Sequence, residues 1–265
     1  PKVKGFARVA SGLLLAGAVL VLHARAAPAE LFFSQSRASV DVYDFVEVTA
    51  RIEKPDVGNP FTGGSLSGSF QASGRGSAVH VEGFCDSPDG SLYRIRFMPS
   101  SEGDYRYNVT YRQGAFQKQD AGVFHAVNAH RKAPIRIDPQ NPWHFIWEGT
   151  GEHYFFAGTT AYWLTGWKDE RIIRGALDRL HRLKVNRIRV TVAGRSNLFF
   201  GEPVRTGAYY SNLPTPWIAE RPNAFTHPGF DYTRFYLPLW QKFERMLNYA
   251  RGEDMIISVV FDMNE

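Results

Sequence analysis

Asn186-Arg187-Ile188-Arg189-Val190-Thr191-Val192 decides how the second half of the chain is read. Ile188, Val190 and Val192 share one face of an extended segment, and Arg187 and Arg189 the other. Before it, Ile172, Ile173, Ala176, Leu177, Leu180 and Leu183 recur at helical spacing behind Asp169-Glu170, two acids at a helix's positive end. Further upstream, Tyr154 to Thr159 reads as a buried strand. Downstream, a loop rich in Pro, Asn and aromatics runs from Ala193 to about Pro228. A second helix follows, from about Thr233 or Pro238 to Arg251, with Leu239, Trp240, Phe243, Met246, Leu247 and Ala250 on its apolar face. Gly252 ends it, and Met255 to Phe261 is a third strand, nearly all apolar. Apolar strands alternating with helices predict a parallel sheet covered on both faces, as a barrel or an open doubly wound sheet. No G-x-G-x-x-G follows any strand, so no dinucleotide cofactor is expected.

The first half has a different rhythm. Val46, Val48, Ala50 and Ile52 alternate with Glu47, Thr49, Arg51 and Glu53, and Tyr105, Tyr107, Val109 and Tyr111 alternate with Arg106, Asn108, Thr110 and Arg112. Tyr93, Ile95 and Phe97 repeat the period of two. Gly63-Gly64, Gly74-Arg75-Gly76, Pro88-Asp89-Gly90 and Glu102-Gly103-Asp104 supply turns, and no amphipathic helix intervenes. This spacing predicts a β-sandwich. Gly103-x-Tyr105-x-Tyr107 is similar to a tyrosine corner, in which a Tyr hydroxyl ties a strand to the loop before it. The domain either braces its neighbour or binds sugar through an aromatic face. His130-Arg131-Lys132-Ala133-Pro134, basic and ended by Pro, marks the boundary.

The chain has 265 residues and a net charge of +5. Lys2, Lys4 and Arg8, the apolar run Gly12 to Leu22, and Ala24-Arg25-Ala26 form the three parts of a secretory signal. The apolar run is shorter than the ~20 residues that span a bilayer, so no membrane anchoring is expected after cleavage. Lys2, Lys4, Arg8 and Arg25 carry four of the positive charges, and +5 less these four leaves +1. The basic balance is therefore mostly leader, and nucleic-acid binding, which needs a clustered basic face, is not expected. Cys85 is the one cysteine, which excludes a disulfide scaffold. The eight His residues show no metal spacing, and no metal is expected. Pro1 in place of Met, and an end at Asp262-Met263-Asn264-Glu265 just after a strand, lead us to expect a fragment.

Function in a parallel sheet gathers at the C-terminal ends of its strands. Those ends carry Thr160, Tyr162, Trp163 and Trp167, then Thr191 to Arg195, then Asp262 to Glu265. Hydroxyls beside flat rings suit sugars, which have apolar faces and polar rims, although the rings equally suit packing. Thr160, Tyr162, Trp163, Trp167, Arg195 and Asp262 are the candidate substrate-binding residues. Arg187 and Arg189 should point inward, where a buried guanidinium must meet a carboxylate. Arg189 then either supports a catalytic carboxylate by lowering its pKa or forms a structural ion pair. Glycoside hydrolysis uses two carboxylates flanking the bond, and no such pair is identified in this chain.

Phe155-Phe156-Ala157-Gly158-Thr159-Thr160-Ala161-Tyr162-Trp163, Leu183-Lys184-Val185-Asn186-Arg187-Ile188-Arg189-Val190 and Trp240-Gln241-Lys242-Phe243-Glu244-Arg245 resemble the start of the apiosidase-like (β/α)8 barrels. These are bacterial relatives of clan A glycoside hydrolases, often preceded by an immunoglobulin-like domain of unknown function. Glu102-Gly103-Asp104-Tyr105-Arg106-Tyr107 fits that domain. The resemblance implies an immunoglobulin-like β-sandwich followed by the first three β/α units of a TIM barrel. Residues 1–26 would be the signal, 27–130 the sandwich and 131–265 the incomplete barrel. It implies retaining hydrolysis of polysaccharide by two Glu residues lying beyond the chain end, with Arg189 beneath the nucleophile and no turnover by these 265 residues alone. Many such barrels have Gly-Asp-Thr-Ala-Trp at strand one, where this chain has Gly158-Thr159-Thr160-Ala161-Tyr162. The alternative is a non-catalytic surface protein that binds glycan or matrix. The expected location is secreted or periplasmic. The leader reading predicts that the exported protein begins at about Ala27, and N-terminal sequencing of secreted material checks it.

Overall fold

The computed structural model describes residues 30–74, 76–192, 208–211, 215–224 and 227–261. The signal segment therefore lies outside the described residues. The first part contains β1 (Leu31–Gln35), β2 (Ser39–Asp41), β3 (Val46–Ile52) and a single helical turn, α1 (Pro60–Gly63). It continues with β4 (Gly64–Ala72), β5 (Val79–Glu82), β6 (Phe84–Cys85), β7 (Leu92–Phe97), β8 (Gly103–Gln113) and β9 (Phe116–Val127). They form two sheets, ordered β1-β3-β7-β6 and β2-β9-β8-β4-β5. All pairs are antiparallel except β2 with β9. Alternation puts Val46, Val48, Ala50 and Ile52 of one sheet against Tyr105, Tyr107, Val109 and Tyr111 of the other in one buried core. Phe70 stacks on Phe97 at 4.6 Å. Each buried tyrosine needs a partner for its hydroxyl. Tyr93 donates to the Pro60 carbonyl at 2.7 Å and Tyr105 to the Ser101 carbonyl at 3.0 Å, the strand-to-loop tie expected of Tyr105.

The second part opens with a small antiparallel sheet of β10 (Ile135–Ile137), β11 (Phe145–Trp147) and β12 (His153–Tyr154). Next come β13 (Gly158–Thr160), α2 (Glu170–Arg182) and β14 (Arg187–Thr191). A hairpin of β15 (Trp217–Ala219) and β16 (Phe230–Phe235) leads to α3 (Leu237–Gly252) and β17 (Ile256–Val260). The Asp169 carboxylate accepts the Arg171 N–H at the start of α2, and Arg179, His181 and Arg182 occupy its last turn, each charge complementing the helix dipole. β13, β14 and β17 pair in parallel in that order. Ile188, Val190 and Val192 pack with Ile173 and Leu177 of α2 and Phe243, Met246 and Ala250 of α3 in a second core.

This architecture overturns the expected one. Among the described residues the chain is mostly strand, divided over five sheets, with three α-helices of which α1 is one turn. A run of three β/α barrel units is not formed. Tyr154 to Thr159, read as a single strand, is split: Tyr154 pairs with Phe145 in the antiparallel sheet, and only Gly158–Thr160 joins the parallel one. The arginine face, expected to be a closed interior, is left uncovered by the described residues. Thr160 and Arg189 are exposed upon it. Apolar periodicity reports the face that meets the helices; it does not say whether the opposite face is enclosed.

The two parts meet through charges. Asp44, only 5% exposed, lies in the turn between β2 and β3. Its carboxylate receives Arg251 of α3 at 2.9 Å, Arg37 at 3.2 Å and Arg131 of the linker at 3.7 Å, with the Phe45 N–H at 2.9 Å. Arg96 of β7 joins Glu47 and Glu244 of α3, both at 2.6 Å, and Gln241 donates to Asp86 at 3.1 Å. Burial alone would raise the Asp44 pKa, but the Phe45 N–H and the Arg251 and Arg131 guanidinium groups outweigh it and hold the carboxyl below its usual range. Its contribution is therefore complete above the ordinary Asp value of about 4 and is lost as pH falls through the lower folded value. We expect Asp44→Asn to cost about 2 kcal/mol, because its arginines keep some solvent contact. Denaturant melts across pH should show the wild type converging on the variant in acid.

Candidate functional site

The parallel sheet ends in a built turn. The Ala161 N–H donates to the Arg189 carbonyl at 2.9 Å, which carries the pairing one residue past β13. The Thr191 N–H and its hydroxyl both donate to the Tyr162 carbonyl, each at 2.9 Å. The chain then enters a 3-10 turn, Leu164–Gly166, whose residues are all buried. Residues 208–211 close over this turn. Tyr210 donates its hydroxyl to the Trp163 carbonyl at 3.1 Å and meets the Trp167 ring edge-on at 5.3 Å. The Ser211 N–H reaches the Gly166 carbonyl at 2.9 Å. Burial pushes the Tyr210 hydroxyl pKa up to about 12, so the phenol stays a neutral donor at physiological pH. From below, the Lys242 ammonium of α3 donates to the Thr165 carbonyl at 2.7 Å and to the Trp167 carbonyl. Burial lowers its pKa.

On the arginine face of the sheet, register places Thr160, Arg189 and Ser258 in one row across β13, β14 and β17. The adjacent row is Gly158, Arg187 and Ile256. Arg187 donates to the Ser258 hydroxyl at 2.6 Å and lies 4.7 Å over the Phe156 ring. Arg189 is exposed, is the cross-strand neighbour of Thr160, and has no ion pair among the described residues. None of the three strands contains Asp or Glu. Their face offers hydroxyls and guanidinium donors, which suit hydroxyl-rich or anionic ligands, and no carboxylate for proton transfer.

Thr160 and Arg189 are thus neighbours across β13 and β14, and Tyr162 and Trp163 follow in the turn at the sheet's end, tied to Thr191. Trp167 is turned partly inward, packed on the second core and on Tyr210. Arg195 and Asp262 lie outside the described residues. Sequence reading placed Thr191 at a strand end but missed Tyr210 and Lys242. A Lys three residues from Leu239 on an otherwise apolar helix face was the available signal for Lys242. Tyr210 had none, because its partner lies 47 residues away.

The protein-family comparison finds a domain of unknown function, DUF5060, over residues 39–112, within the sandwich. No curated protein matches the chain. Among solved structures, a putative glycoside hydrolase from Bacteroides vulgatus ATCC 8482 is 23% identical, with a TM-score of 0.67, over 85% of this chain and 41% of its own. The chain therefore spans well under half the length of that structure, and the likeness is one of fold. An endo-beta-1,4-mannanase from Thermotoga petrophila is 13% identical over 39% of this chain and 21% of its own, at a TM-score of 0.26, which carries no argument.

A Cβ on Gly166 would sit 2.5 Å from the Tyr210 ring. Gly166→Ala should cost about 1–3 kcal/mol by overpacking, against about 1 kcal/mol for Tyr210→Phe, which loses one hydrogen bond. Chemical denaturation of the two variants checks the order.

Proposed function

We propose that this chain handles carbohydrate, as part of an exported glycoside hydrolase-like protein acting on polysaccharide. The observation that carries the reading is the Thr160–Arg189–Ser258 row across the parallel sheet, with Tyr162 and Trp163 in the turn that follows β13. Hydroxyl and guanidinium donors beside rings match a sugar's polar rim and apolar face. The fold shared with the Bacteroides protein over most of this chain supports the assignment. The leader at residues 1–26 supports export, to a secreted or periplasmic location.

Hydrolysis with retention, by a pair of Glu residues, is the catalytic form of this proposal and concerns the whole protein. The alternative is a non-catalytic glycan-binding surface protein. In either form, this chain's share is sugar binding. Arg189 is exposed, and its removal should leave the fold intact. Titration calorimetry with cellohexaose, xylohexaose and mannohexaose should detect binding to at least one. Arg189→Ala should weaken it about tenfold, the loss of one charged hydrogen-bond donor. No heat with any hexaose, or full affinity in the variant, would remove the basis of the reading.

A further inference from the structure

The end of β16 in the β15–β16 hairpin meets the sandwich through Thr233, Arg234 and Phe235. Asn59 donates its side-chain N–H groups to the Thr233 hydroxyl at 2.9 Å and carbonyl at 3.2 Å. Phe61 meets Phe235 edge-on at 5.5 Å, and Arg234 reaches the Gly58 carbonyl at 2.8 Å. Asn59 is itself fixed, because its carbonyl oxygen caps α1 by accepting the Phe61 N–H at 3.1 Å. The sandwich therefore grips the hairpin from a pre-set position.

The hairpin also carries a cluster of rings. Trp217 lies 5.1 Å from Tyr232 and 6.2 Å from Phe230, and Phe230 lies 5.9 Å from Tyr232. Tyr232 is 68% exposed despite this company. Glu220 and Arg221, both exposed, rim the cluster towards the hairpin tip. The hairpin belongs to the same β14-to-α3 connection as Tyr210.

We propose that the Trp217–Phe230–Tyr232 face is a glycan subsite, with Tyr232 as the platform for one pyranose ring of a soluble chain. Ring faces attract the axial C–H face of a sugar, while the rim groups take its hydroxyls. The geometry fixes the kind of glycan. Tyr232 stands 71° to Trp217 and 63° to Phe230. Coplanar rings lie flat on a crystalline polysaccharide; rings at these angles form a corner that accepts a single chain. This inference rests on the carbohydrate reading above and adds a second contact point to it. The sandwich acts here as a positioning element, through Asn59, and never touches the sugar.

The test is titration of the full chain with cellohexaose, xylohexaose and mannohexaose, beside a pull-down on microcrystalline cellulose. Tyr232→Ala should weaken the hexaose that binds by about tenfold, the order of one ring contact, with an unchanged melting temperature. Tyr232→Trp should restore affinity. Asn59→Ala, which removes no ring but releases the hairpin from the sandwich, should weaken binding by a smaller factor. If the wild type binds no hexaose, both this inference and the carbohydrate reading fall. If Tyr232→Ala binds normally while Arg189→Ala does not, this inference falls and that reading stands. Stronger retention on microcrystalline cellulose than on soluble chains would overturn the single-chain geometry. Self-association abolished by Tyr232→Ala would reassign the rings to a protein interface.

Discussion

The structure depends on one buried carboxylate. Asp44 collects Arg37 from the sandwich, Arg131 from the linker and Arg251 from α3. Taken alone, a carboxylate removed from water is strongly unfavourable, and so are guanidinium groups crowded together. Each offsets the other only when all three segments meet at one point. Hydrophobic contact between the two cores does not specify an orientation in that way, because it is not directional. The Asp44 cluster and the Glu47–Arg96–Glu244 chain select the one docking in which every charge is answered.

That docking has a consequence for the site. With α3 fixed to the sandwich, Lys242 is fixed beneath the Leu164–Gly166 turn, and the turn holds Tyr162 and Trp163 at the sheet end. Meanwhile Asn59 holds the hairpin from the other direction. Both proposed recognition surfaces are thus oriented through the sandwich. A bracing role and a role in ligand binding, posed as alternatives by the sequence, are compatible in this arrangement.

Much of this was legible beforehand. The period-two runs around Val46, Tyr93 and Tyr105 became β3, β7 and β8, and the Tyr105 hydroxyl tie followed its sequence pattern. The acidic start read for α2, Asp169-Glu170, matched its dipole. What was not legible depends on contacts distant in sequence. Tyr154 leaves its apolar run because Phe145 pairs with it. Trp217–Ala219 was hidden in a loop-like stretch because a bulge between Trp217 and Ile218 breaks its alternation. The barrel expectation failed at Arg187 and Arg189. Their alternation with apolar residues announces a second face, and only the tertiary structure reveals that the described residues leave it uncovered. For the site, Thr160 and Arg189 were identifiable from strand ends, whereas Tyr210 and Lys242 act on backbone carbonyls that no side-chain pattern marks.

The partners of Asp44 are also spread along the chain in time. Arg37 is seven residues away and is made before it, whereas Arg251 follows 207 residues later. A sandwich emerging from the ribosome meets its local arginine at once, its linker arginine once β9 is complete, and its helix arginine last. Domains fold as units and in order of synthesis. The sandwich can thus tolerate the buried acid while waiting, with part of its charge already neutralised. Arrival of α3 then acts as a latch on a preformed receptor.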